Sequence, residues 1–206
     1  MTQVRKLSHF GLTELKWVSQ FETLVPDISA IEASRPSQLT RELWRLSGGD
    51  TQVGNTRGHI LLICMISALA REQIGPFYVN CGVKGVPTHS WDLVFTSPKG
   101  RVIAVSANVT LKERWKNENL AAWALKKELP QSSAYLVLHN EDEATNIGNK
   151  IVRGEAASID GRAQIFSPEF DQLLAILKSE HLVARDDLVD RGANQAGFGP
   201  VTVGTP

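Results

Sequence analysis

The chain has 206 residues, 42% hydrophobic and 21% charged, which is the balance of one globular domain with a core of its own. Lys plus Arg and Asp plus Glu each number 22, so the formal net charge is zero. A neutral chain offers no whole-molecule field for nucleic acid, membrane surfaces or acidic ligands, and any basic face has to be local. The two cysteines, Cys64 and Cys81, show no metal-ligand spacing; Cys64 lies in an apolar run as a buried thiol, which favours a cytoplasmic setting. The opening MTQVRKLSHFGLTELKW lacks the apolar stretch of a signal peptide. The longest apolar run, residues 60–70, is too short to span a bilayer, so it reads as a buried core helix and no membrane association is expected.

In chain order, LTELKWVSQFETLV (12–25) carries Leu15, Val18, Phe21 and Val25 at helical spacing and is stopped by Pro26. SQLTRELWRLS (37–47) predicts a second helix, closed by Gly48-Gly49. A polar loop, GGDTQVGNTRG, then leads into a long helix over about 57–73, broken at Gly75-Pro76. From there the period shortens. FYVNCGV (77–83), WDLVFTS (91–97) and RVIAVSA (101–107) read as strands, the last two forming a hairpin across Pro98-Lys99-Gly100. Residues 111–129 read as a helix with Leu111, Trp115, Ala122, Leu125 and Leu129 on one side; Trp115 and Trp123 are both expected in the core. SAYLVLHN (133–140) is a buried strand, DEATNIGNKIV a short helix, GRAQIFS the last strand and PEFDQLLAILKSE (168–180) a closing helix with Pro168 in its first turn. Residues 192–206, rich in Gly with little to bury, read as a loose tail. The expected class is α/β, a mixed central sheet flanked by helices.

The chemistry gathers at the hairpin. Asp92 opens an apolar strand, so its carboxylate lies at the mouth of the sheet, either capping backbone N–H groups or serving as a ligand. Pairing through the Pro-Lys-Gly turn sets Asp92 across from about Ser106, and Ser106 and Asn108 share a face of their strand. His89 is a further loop candidate for a phosphate, against the plain reading of a structural histidine. Lys112, Arg114, Lys116, Lys126 and Lys127 form either a basic face for DNA phosphates or an ordinary solvated one. The loop TQVGNTRG, with Asn55 and Arg57, approaches a DNA groove or is an ordinary connector. No GxxxxGK[ST], GxSxG or HExxH is present, so P-loop, esterase and zincin chemistry gain no support.

An Asp on one strand of a hairpin, a polar-x-polar pair on the next, and a helix entered through Thr110-Leu111-Lys112-Glu113-Arg114-Trp115 resemble the PD-(D/E)xK restriction-endonuclease-like superfamily. In some type II members the second strand reads Ser-x-Lys and runs into a similar Arg-Glu-Arg-Trp turn. The resemblance covers residues 57–178, and its specific part is the run 106–115. It implies a restriction-endonuclease-like fold, with 1–56 an N-terminal helical part, 57–181 the nuclease-like core and 182–206 the tail. It also implies a Mg2+-dependent type II restriction endonuclease, with Mn2+ an alternative ion, acting on double-stranded DNA as a homodimer.

Within that scheme the catalytic set is Asp92, Ser106, Asn108, Glu118 and Glu113. Asp92 and Glu118 are the metal ligands; Glu113 or Glu72 would be the other source of a displaced carboxylate. Lys112, Arg114, Lys116, Asn55, Arg57 and His89 contact DNA. The chain departs from the pattern twice. Ser106 stands where an acid is usual, and Asn108 stands where the catalytic lysine is usual, with Lys112 the nearest substitute. Two other readings stay open: a degenerate relative that binds DNA or a partner without cutting, and an unrelated α/β interaction module.

Overall fold

The computed structural model describes residues 16–86, 89–190 and 198–201. Helix α1 (Lys16–Leu24) carries the first apolar stripe, with Val18 and Phe21 buried; the expected start at 12–15 lies outside the described residues. Helix α2 (Pro36–Leu46) begins on a proline, whose fixed φ suits a first turn, and Gly48 (φ +66) follows its end in the left-handed region. Helix α3 spans Asn55–Arg71, so the loop expected up to residue 56 is shorter. Gly54, at φ +59, is its N-cap, and this places Asn55 and Arg57 in the first helical turn. As the apolar run requires, Ile60 through Ala70 are buried on all sides.

Strands β1 (Phe77–Val83), β2 (Trp91–Thr96) and β3 (Val102–Asn108) form an antiparallel meander. Gly100, at φ +78, closes the turn between β2 and β3. A single 3-10 turn (Lys112–Arg114) leads into helix α4 (Trp115–Glu128), which starts later than the periodicity predicts. Strand β4 (Ser133–Leu138), helix α5 (Glu141–Val152), strand β5 (Gly161–Gln164) and helix α6 (Pro168–Ser179) follow. Strands β3, β4 and β5 run parallel, so their carboxyl ends share one edge of the sheet.

Helix α6 does not close the chain and β5 is not the last strand. Strands β6 (Val189–Asp190) and β7 (Phe198–Val201) both pair with β1. Among the described residues the sheet therefore has seven strands, ordered β5-β4-β3-β2-β1-β6 with β7 also on β1. This corrects the expected loose tail at 182–190 and 198–201; the rest of that expected tail lies outside the described residues. Thr96 Oγ1 donates to the Val183 carbonyl, Tyr78 Oη bonds Asp186, and Val189 and Val201 are buried.

Two cores sandwich the sheet. On one face α1, α2, α3 and α6 pack against Phe77, Val79, Leu93, Phe95, Ile103, Val105 and Val137. On the other α4 and α5 cover Tyr78, Val94, Val102, Ala104, Leu136 and Leu138. Trp115 packs partly buried against the second core, but Trp123 is 52% exposed, with Lys127 above its ring, and is not a core residue. Eight positions along a helix rotate a side chain about 80° off its starting line, which is enough to carry Trp123 out to solvent. No helix among the described residues is long and apolar enough to cross a membrane.

Candidate active site

At Asp92 the strand alternation changes phase. Val79 and Leu93 pair and face the first core, while Cys81 and Trp91 pair and face the second; Asn80, at φ +53, and Asp92 lie between them. Leu93 pairs with Val105, so the next step brings Asp92 beside Ser106, as the hairpin spacing predicts. The Asp92 carboxylate takes the N–H of Ala107 at 2.6 Å, continuing the ladder with a side-chain oxygen where the backbone pairing stops. That contact is the capping role read from the sequence.

Ser106 is 2% exposed and donates its hydroxyl to Glu118 Oε2 at 2.7 Å. Glu118 lies in the first turn of α4, so the helix behind the strand end delivers a second carboxylate toward Asp92. Burial pushes the Asp92 carboxyl up to about 6, the Ala107 N–H opposes this, and the charge of Glu118 adds to the rise. Asn108 is buried at the end of β3, on the Ser106 face. His89 is turned inward rather than out to solvent. Its Nε2 lies 3.4 Å from Glu118 Oε2, outside hydrogen-bonding geometry, and its ring meets Trp91 edge-on at 4.4 Å.

The remaining candidates are elsewhere. Glu113 is exposed and pairs with Lys116 at 2.5 Å, which holds its carboxyl below the usual range. Glu72 pairs with Lys178 at 3.0 Å. Lys112 and Arg114 are exposed on the 3-10 turn. The Arg114 guanidinium donates to the Thr110 carbonyl and draws the Asp92 carboxyl slightly down. Glu143 of α5 anchors that turn by accepting the N–H groups of Leu111 (2.6 Å) and Lys112 (3.2 Å), while Lys112 sits at φ +45. Sequence reasoning missed Glu143, although its place in an acidic first turn behind the N-cap Asn140 is a visible signal.

A second constellation, of which the sequence offers only Arg57, gathers at the carboxyl ends of β4 and β5. His139 follows β4 and donates its backbone N–H to the Asn108 carbonyl at 3.0 Å, so it is one strand away from the acid pair. Its ring packs on Trp44 (4.4 Å) and Phe166 (5.3 Å). Arg57, from the first turn of α3, lies over Trp44 at 5.7 Å. Trp44 belongs to the first core, whereas Ser106 and Asn108 continue the β3 face that bears Val102 and Ala104 in the second.

Asp92, Glu118, Ser106 and Asn108 are hard oxygen donors. No group of three or more His, Cys, Asp or Glu side chains among the described residues is gathered to hold a metal ion. Mg2+ nevertheless commonly rests on one or two carboxylates and keeps several waters, so the carboxylate pair fits such an ion. Protein-family models, curated proteins and solved structures yield no match to this chain.

Proposed function

We propose that the chain is a Mg2+-dependent DNA endonuclease of the restriction-endonuclease-like kind, cutting double-stranded DNA at a short specific site as a homodimer. One observation carries this reading: Glu118 of α4 meets Ser106 at the end of β3, close enough to Asp92 that its charge raises the Asp92 carboxyl. Half-buried acids brought together in this way lose stability by mutual repulsion, which a cation relieves.

Asp92 and Glu118 would hold the ion, which when bound offsets charge developing on the phosphate and lowers the pKa of an attacking water. The Ala107 N–H sets the rotation of the Asp92 carboxylate, and the Ser106 hydroxyl fixes Glu118 Oε2. Asn108 can orient a water through its amide but carries no charge, so this part of the transition-state stabilisation has to come from elsewhere. Lys112 and Arg114, on the exposed turn beside the site, and Lys116, at the start of α4, would meet phosphates, Arg114 and Lys116 by exchanging their present partners Thr110 and Glu113. Purified protein with Mg2+ or Mn2+ and mixed-sequence duplex DNA should give discrete fragments, and Asp92→Ala should give none. Absence of cleavage by the wild type under both metals overturns the assignment.

Asn108 itself favours a second reading, a relative that binds DNA without cutting it. The two separate on one variant. If the wild type binds DNA in a salt-dependent, metal-independent way and only Asn108→Lys cuts, the chain is the degenerate form.

A further inference from the structure

The donors around Asp50 outnumber what that residue satisfies. Trp44 Nε1 donates to Asp50 Oδ1 at 2.9 Å, a full hydrogen bond. Two further nitrogens converge on the same oxygen but stop short of bonding distance: His139 Nε2 at 3.7 Å and Arg57 Nη2 at 3.9 Å. The Nε of Arg57 is buried with no hydrogen-bond acceptor among the described residues. A buried guanidinium N–H without an acceptor is costly, and such groups mark places where a ligand or water completes the set. The Asp50 side chain is itself 75% exposed, so the oxygen on which they converge lies at the surface.

The loop is shaped to hold it there. Gly49 lies flat on the Trp44 indole, where a Cβ would come within 2.3 Å of the ring, and Thr51 and Gln52 fold back onto the Gly48 carbonyl. The amino end of α3 adds to the same field: its N-cap Gly54 supplies no side-chain hydrogen bond and its first turn holds no acidic residue. A Cβ at Gly54 or Gly58 would meet nothing within 4 Å, and the Arg57 side chain is part-exposed despite its buried Nε.

We propose that Trp44, His139 and Arg57 form an anion site for a phosphate group, in which the Asp50 carboxylate is an internal stand-in that weakens binding of the external anion. The phosphate offers several acceptor oxygens where Asp50 presents one, so it can bond Arg57 and His139 together. That its source is a nucleic-acid backbone rests on the nuclease reading above; the phosphate chemistry does not. His139 is tied to the end of β3 through the Asn108 carbonyl, so a strand held here would pass the end of the strand that carries Ser106.

The test uses the full chain in metal-free buffer, with inorganic phosphate followed by calorimetry and a labelled DNA duplex followed by anisotropy. Asp50→Asn keeps an acceptor for Trp44 Nε1 and removes the competing charge. It should tighten both ligands roughly three- to tenfold and steepen the salt dependence of duplex binding by about 0.9 for each phosphate gained. Adding Arg57→Gln should cancel the gain. Equal affinity of Asp50→Asn and wild type for phosphate, with an unchanged melting temperature, overturns the site. Should Asp50→Asn fail to fold, Arg57→Gln alone decides, since unchanged phosphate binding in that variant is equally fatal. Tighter phosphate without tighter duplex supports the site and overturns the backbone as its ligand. A duplex that binds more tightly yet is never cut with Mg2+ or Mn2+ leaves the anion site standing while the nuclease reading falls.

Discussion

Two polar groupings meet at the end of β3 and are opposite in kind. The Asp92 side holds two carboxylates, inward-turned, with a backbone N–H and a hydroxyl among their donors. The Trp44 side holds an indole, an imidazole and a guanidinium around one exposed carboxylate oxygen. The first is short of positive charge and the second is short of acceptors. Under the proposed nuclease reading, a cation would answer the first deficit and a phosphate the second, with the His139–Asn108 backbone bond the link between the two sides. The difference also predicts how each side contributes to stability: the Asp92 charge should be a liability that its neutralisation relieves, and the donor side a packed element that substitution ruins.

The largest expected effect tests the second half of that statement. Trp44 is 3% exposed and packed in the first core, so Trp44→Ala should cost about 3–5 kcal/mol in urea-unfolding free energy. A loss under 1 kcal/mol would mean that the donor side is surface decoration. Trp123→Ala, at a 52% exposed ring, is the internal reference and should stay within about 0.5 kcal/mol of wild type.

Asp92→Asn should act in the opposite direction. The folded-state carboxyl, at about 6, lies above its ordinary 3.8, so the native state binds more protons than the unfolded chain between those values. Stability of the metal-free protein therefore falls as pH rises from about 4 to 6, and the cost is fully present above the upper value. Asn retains an acceptor for the Ala107 N–H and carries no charge, so it should gain on the order of 2–3 kcal/mol at pH 7 and flatten that slope. An unchanged slope across pH 4–6 would show that Asp92 is not the group responsible.

The sequence makes the acid side legible because its parts are local. Asp92, Ser106 and Glu118 lie on one hairpin and the helix that follows it, and the β-branched runs flanking Pro98-Lys99-Gly100 set the register that aligns them. The donor side has no such signal. Its members come from the end of α2, the loop after it, the start of α3 and the end of β4, and only the closed sheet brings them together. Asn55 reads as loop and Arg57 as the boundary because Gly54 interrupts a polar run, whereas that glycine is the cap that starts the helix. The C-terminal strands were hidden for a related reason: Val189 and Val201 sit among glycines and charged residues, and their strand identity comes from the edge of β1.

Ser106→Ala removes the donor that fixes Glu118 Oε2 and leaves the carboxylate in a largely buried place. It should destabilise the protein by about 1–2 kcal/mol. If Glu118 is instead held by its helix alone, the change will be within error and the two carboxylates are less organised than the geometry implies.

The finest distinction is the titration of His139, readable from its ring proton shifts by NMR. Burial lowers its pKa first, Arg57 lowers it further, and Asp50 pulls it back up. Arg57→Gln should therefore raise the midpoint and Asp50→Asn should lower it, the two shifts having opposite signs at one ring. Arg57 and Asp50 both sit within Coulombic reach of a half-buried imidazole, so the shifts should shrink together as salt rises. If both variants move His139 the same way, or neither moves it, Asp50 and Arg57 do not share the imidazole's field and the donor side is not a single site. Opposite shifts identify Arg57, Asp50 and His139 as one electrostatic unit, which is the condition the proposed anion site requires.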